Sequence, residues 1–168
     1  MAGSTPKKAI VRRYEKEALA GYVNPVSFLQ PAGVELLTAQ GNISTVPYGE
    51  IKAVCFVRDF ESAPHAERLV FHTRPKMEGL WIRLQFHDGE VLEGILPNNL
   101  LQVEPYGFTV IPPDPYGNQQ RVFVPRAALR AVEVLGVVGS PLKKRRAKAV
   151  PKEQIGLFDE PGRTDDAG

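Results

Sequence analysis

As far as Gly139, the apolar positions of this chain fall in short runs rich in β-branched side chains, interrupted by Gly, Pro and Asn. That is a pattern of strands rather than helices. The clearest run, Leu80-Trp81-Ile82-Arg83-Leu84-Gln85-Phe86, alternates so that Leu80, Ile82, Leu84 and Phe86 share one face. Asp88-Gly89 then signals a tight hairpin into a strand over Val91–Leu96. Further strands are predicted over Gly107–Ile111, Arg121–Val124 and Leu129–Val134, with one short helical turn led by Pro125 before the last. Upstream, the same reading places strands at Ala9–Val11, Leu19–Val23, Val34–Leu37, Ile43–Val46 and Ile51–Val57, with turns at Gly33 and Gln40-Gly41-Asn42.

The two sets repeat one another. Val46–Val54 reads VPYGEIKAV, and Val124–Val132 reads VPRAALRAV; Val, Pro, Ile/Leu, Lys/Arg, Ala and Val keep their places. Glu17-Ala18-Leu19-Ala20-Gly21 parallels Glu90-Val91-Leu92-Glu93-Gly94, and Gly33–Leu36 parallels Gly107–Val110. The second copy has a longer loop, Pro112–Gln119. A duplicated unit of about fifty residues follows. Gly21 and Gly94 are expected where the second strand bends sharply or another backbone comes close.

Five short strands per copy, an Asp-Gly turn, a Gly in the second strand and a short turn before the fifth resemble the SH3-like and Sm-like small barrels. The chain also resembles an uncharacterised bacterial family carrying this duplicated barrel, which implies no activity. The first copy departs from the pattern, because Glu15-Lys16 stands where the second has Asp88-Gly89. The expected fold is mainly β: two tandem five-stranded barrels packed together, residues 8–60 and 80–138, joined by a connector at 61–79 in which Leu69-Val70-Phe71 makes a short or covering strand. A fifty-residue barrel buries little surface by itself, so the copies are expected to share a core and cover each other's edges. Residues 139–168 are expected to form a basic, disordered tail with a short linear motif.

The net charge of +2 is unevenly placed. Residues 1–139 carry 14 Lys/Arg against 14 Asp/Glu, and residues 140–168 carry 7 against 5. A neutral body argues against extensive phosphate binding and weakens an Sm-like RNA-binding reading. No apolar run follows the N-terminal lysines, none approaches a membrane span, and the single cysteine, Cys55, has no partner for an internal disulfide. A cytoplasmic location is expected.

Candidate chemistry is sparse. Cys55, His65 and His72 are separated by nine and six intervening residues, which matches no standard zinc pattern, and His87 reads as an exposed turn residue. There is no nucleophile elbow, P-loop, dinucleotide fingerprint or paired carboxylate motif. Arg126 and Arg130 have the arginine spacing of cyclic-dinucleotide-binding barrels without the motif that should follow. No enzyme and no cofactor or metal is expected. Tyr106, Phe108 and Tyr116, set among Pro and Gly, could form a protein-binding face or simply cover the end of the second barrel. Lys143, Lys144, Arg145, Arg146 and Lys148 suit either contact with nucleic acid or a solvated linker.

The sharpest signal is Gln154-Ile155-Gly156-Leu157-Phe158, an apolar island in a polar tail. It resembles the bacterial sliding-clamp-binding pentapeptide. Gln154, Ile155, Leu157 and Phe158 stand at its specifying positions, with Ile for the more usual Leu at the second. The resemblance implies a partner, the DNA polymerase sliding clamp, and a replication- or repair-associated adaptor. The alternatives are a regulatory protein-binding module with no DNA connection, or an Sm-like RNA binder.

Overall fold

The computed structural model describes residues 3–61 and 68–139. Eleven strands account for most of this body: β1 (Lys7–Arg13), β2 (Leu19–Val23), β3 (Leu29–Gln30), β4 (Gly33–Thr38), β5 (Ile43–Val46), β6 (Ile51–Val57), β7 (Gly79–Phe86), β8 (Val91–Leu96), β9 (Gly107–Val110), β10 (Gln119–Pro125) and β11 (Leu129–Val138). Among the described residues the helical pieces are three 3-10 turns, Tyr48–Glu50, Leu100–Gln102 and Arg126–Ala128. Pro47 and Pro125 stand directly before the first and third of these, with φ of −59° and −64°. The fixed ring torsion of proline supplies that geometry.

The strands form two sheets, neither closed on itself. The larger runs β3-β4-β2-β1-β6-β10-β9 with β5 added on β4, and the smaller runs β11-β7-β8. The order of pairing is the same in both halves. In the first, β6 pairs β1, β1 pairs β2, β2 pairs β4 and β4 pairs β5. In the second, β11 pairs β7, β7 pairs β8 and β9 pairs β10. There β8 meets β9 at one bridge, where Ile95 and Ile111 exchange backbone hydrogen bonds of 2.9 and 3.0 Å.

The halves meet through β6 and β10, which pair antiparallel with Phe123 opposite Val54 and Val122 opposite Cys55. Side chains alternate across a strand, and the register of β6 against β1 shifts between Ala53 and Ile51, so β6 serves two cores at once. Ala53, Cys55 and Val57 enter a cluster with Leu80, Ile82, Leu84, Phe86 and Val124. Ile51 and Val54 enter a second cluster with Val11, Val34, Leu36 and Phe28, which Phe123 also joins from β10. A strand buried on both faces reads as an unbroken apolar run, which explains Val54-Cys55-Phe56-Val57.

The two hairpin turns differ as their residues require. Gly89 takes φ 89° in a turn where its N–H donates to the Phe86 carbonyl at 3.1 Å. In the first half Glu15 adopts φ 55°, the one non-glycine residue with positive φ among those described. The glycines of the second strands lie against neighbours. A β-carbon on Gly94 would fall 2.7 Å from the Val110 side chain, and one on Gly21 would strike the Leu37 carbonyl and lie 2.9 Å from Leu36.

One expectation is corrected. Leu69-Val70-Phe71 belongs to no strand. The segment is held instead by single bonds to β8: the Glu93 N–H donates to the Leu69 carbonyl at 2.7 Å, and the Phe71 N–H donates to the Glu93 carboxylate at 3.0 Å.

Candidate functional site

Glu93 is the only buried charged residue among those described. It lies in β8 opposite Arg83 of β7, so their side chains share a face. One carboxylate oxygen accepts from the Trp81 indole N–H at 3.1 Å and from the Phe71 N–H; the other accepts from the Arg83 guanidinium at 3.1 Å. Arg83 also reaches Glu133 of β11, at 3.6 Å. Three donors, one of them the Arg83 counter-ion, satisfy both oxygens of the buried carboxylate, which makes it a structural anchor for the connector.

A second charged cluster bridges the halves. Lys52 projects from β6 onto the hairpin turn of the second half, pairing with Asp88 at 2.6 Å and, more closely, with Glu90. Its ammonium also lies 5.1 Å from the Phe86 ring centre and 5.9 Å from that of Tyr14. Burial alone would lower its pKa, but the hydrogen bonds and charges of Asp88 and Glu90 outweigh this and hold it above the ordinary lysine value. The hydrogen bond from Lys52 in turn holds the Asp88 carboxyl below its usual range.

An aromatic seam runs beside the joint. Tyr106 stacks on Tyr48, and the Tyr48 hydroxyl donates to the Gln30 carbonyl at 2.6 Å. Phe108, two residues on, carries the Arg126 guanidinium 4.8 Å above its ring, and Arg126 also donates to the carbonyls of Tyr106 and Pro105. Tyr106 and Phe108 are half-buried, packed respectively against the first-half and second-half clusters. Tyr116 is 88% exposed, and among the described residues no ring contact joins it to the other two. Its loop is held by Asn118, whose side chain accepts from the Arg58 and Asp59 N–H groups at 3.2 and 2.9 Å.

Of the remaining sequence candidates, His72 and His87 are exposed and Cys55 is buried. Arg130 contacts Gln85, apart from the Arg126 group. His65, the basic residues Lys143, Lys144, Arg145, Arg146 and Lys148, and the motif Gln154, Ile155, Leu157 and Phe158 lie outside the described residues. Among the described residues no cluster of three His, Cys, Asp or Glu side chains could hold a metal ion, and no helix is long and apolar enough to cross a membrane.

Sequence reasoning missed Lys52, Tyr48 and Glu93. The available signal for the first was the repeat itself, which aligns Lys52 with Arg130 and marks one cationic position per half.

The arrangement defines a mainly β protein of two unclosed sheets, with one charged cluster bridging its halves and another anchoring the connector. Residues 5–136 match the model of a family of unknown function (DUF6982), and the chain belongs to that family. No curated protein and no solved structure matches it.

Proposed function

We propose that this is a non-enzymatic, cytoplasmic adaptor: two tandem SH3-like or Sm-like small barrels whose tail recruits the protein to the DNA polymerase sliding clamp. The observation that carries the reading is the pentapeptide Gln154-Ile155-Gly156-Leu157-Phe158, set in a polar tail beyond a folded body. Leu157 and Phe158 supply two apolar anchors worth about 1.5–3 kcal/mol each when buried. Gln154 supplies hydrogen bonds at a pocket edge. The nearby basic run adds attraction to the duplex that threads the clamp. The barrel assignment is supported by the shared order of strand pairing in the two halves.

The test is isothermal titration of a peptide spanning residues 150–162 against the host's clamp. Micromolar binding is expected, roughly −7 to −8 kcal/mol once the cost of ordering the peptide is subtracted. Tighter binding of the full chain to DNA-loaded clamps is expected, because a ring offers several pockets and the basic run a second contact. Replacing Leu157 and Phe158 by Ala should abolish binding and leave the melting temperature of the body unchanged. Absence of heat and of competition with a known clamp ligand at high micromolar peptide would end the reading.

A protein-binding module without a DNA connection has one observation in its favour. Leu100 and Leu101, adjacent in the turn after β8, are 75% and 95% exposed, and neighbouring exposed leucines suit a protein contact. Retention of partners from extract by a chain lacking residues 140–168 would move this reading first.

A further inference from the structure

The joint between the halves has an unused counterpart at each end of the molecule. Within the chain, the fifth-position strand of the first half, β6, is covered by the fourth-position strand of the second half, β10. The equivalent of β6 in the second half is β11, and the equivalent of β10 in the first half is β5. Among the described residues β11 pairs only with β7, and β5 only with β4. Each therefore presents an open edge, and an unpaired edge with exposed apolar side chains is a template for another strand.

Exposure shows what the missing cover would do. Val54 of β6, opposite Phe123 of β10, is wholly buried, whereas Val132, its counterpart in β11, is 40% exposed. Val134, the counterpart of Phe56, is 62% exposed. On β5, Val46 faces the first-half cluster with Val34, so by alternation Ile43 and Thr45 point away from it. Ile43 is 67% exposed. The same alternation in β10 turns Val122 and Val124 into their own half and sends Phe123 across to the other. Thr45 and Ile43 thus stand where β10 has Phe123 and Arg121.

From this equivalence we infer that the protein binds a second copy of itself head to tail, β5 of one copy adding antiparallel to β11 of the next. The observed β6–β10 register, carried over by the repeat, sets Ile43 opposite Val134, Ser44 opposite Glu133 and Thr45 opposite Val132. The two most exposed apolar residues of these edges then cover one another as a β-branched cross-strand pair. Ser44 offers its hydroxyl to the Glu133 carboxylate. The contact joins two different surfaces, so it repeats from copy to copy, as a closed ring or a growing row. It rests on the described body and not on the tail, so it stands or falls independently of clamp binding.

The test is the solution mass of the full chain across a concentration series, by analytical ultracentrifugation. Species that grow above the 18.5 kDa monomer with concentration are expected. Ile43→Lys and Val134→Lys, both at exposed positions, should each abolish the larger species while the melting temperature stays unchanged. The decisive measurement mixes the two variants. Each keeps one intact edge, so the mixture should form a 1:1 heterodimer and stop there. Separately, chains bearing Ser44→Cys and Glu133→Cys should cross-link to each other on oxidation, and neither should cross-link with itself. A monomer at every concentration would overturn the proposal. So would assembly lost in Val134→Lys but intact in Ile43→Lys, which would mean that β11 pairs with something other than β5.

Discussion

Tyr48 and Tyr106, from different halves of the chain, lie face to face with ring centroids 4.8 Å apart and planes inclined by 14°. Each ring packs against the first-half cluster, so the stack fastens the approach to β9 onto the other half. The contact gives the Tyr48 phenol a distinctive titration. Burial, with a smaller contribution from Tyr106, pushes its pKa up to about 12. Folded Tyr48 thus keeps its proton where an unfolded tyrosine has lost it. Its contribution to stability is complete below the ordinary phenol value of 10.0 and fades as pH rises through about 12. Tyr48→Phe, which loses the hydrogen bond to Gln30, should cost about 1 kcal/mol at neutral pH. Urea unfolding of both proteins at pH 7, 10 and 11.5 should show that difference narrowing on the alkaline side.

The Lys52 joint has two pH limits. Asp88 is held below the ordinary aspartate value of 3.8 by Lys52, so its contribution is present above that value and lost as pH falls through the lowered pKa. Lys52 is held above 10.5 by its two partners, so its contribution is present below that value and lost as pH rises through the raised pKa. Lys52→Met should lower neutral stability by about 1 kcal/mol, or about 3 °C in Tm. It should also flatten the stability profile at both ends, which thermal melts from pH 2.5 to 11 would reveal.

Gly94→Ala should destabilise the body by about 1–3 kcal/mol, because its new methyl meets Val110 at 2.7 Å in a packed interior. Gly49→Ala is the matching control, with nothing within 4 Å of the added carbon. It should be neutral or slightly stabilising. Equal melting temperatures for the two variants would remove the packing argument.

Glu93→Gln keeps the shape of the side chain but turns an all-acceptor group into one that presents donors to donors. With Trp81, Arg83 and Phe71 all donating to it, the change should cost about 2 kcal/mol. Trp81 is the sole tryptophan, so a shift in its native emission should accompany the loss. Unaltered emission and stability would show that the connector is held some other way.

Duplex binding by the full chain should depend on salt through the tail. Changing Lys143, Lys144, Arg145 and Arg146 to Gln should cut the slope of log affinity against log salt by about 3–4. Fluorescence anisotropy with labelled DNA between 50 and 300 mM salt would measure it, and an unchanged slope would place the phosphate contacts on the body.

Local pattern carried most of the strands, since runs such as Leu80–Phe86 and Ile51–Val57 declare both element and buried face. Two-residue β3 was invisible because Leu29-Gln30 is too short to show a period. The end of β11 was missed because Gly136 interrupts the run. The turn Tyr48–Glu50 does not declare itself as its counterpart after Pro125 does, because Tyr-Gly-Glu lacks the helix-favouring alanines of Arg126-Ala127-Ala128. The β6–β10 pairing is long-range, and no local periodicity encodes it. Glu93 read as one scattered carboxylate because its donors come from three separate stretches, Phe71, Trp81 and Arg83. Tyr106, Phe108 and Tyr116 stand out in the sequence as a candidate protein-binding face, but nothing in it reveals that Tyr48 and Arg126 lie against the first two.

Cys55 gives the joint a clock. The thiol is 2% exposed, lies opposite Val122 and sits on the strand that both clusters share. Its side chain packs in the second-half cluster, so the rate at which a thiol reagent labels the native protein counts the openings that expose that cluster. Since Cys55 is the only cysteine, each modified molecule records one such event. Comparing that rate with the rate of global unfolding would tell whether that cluster opens before the body melts.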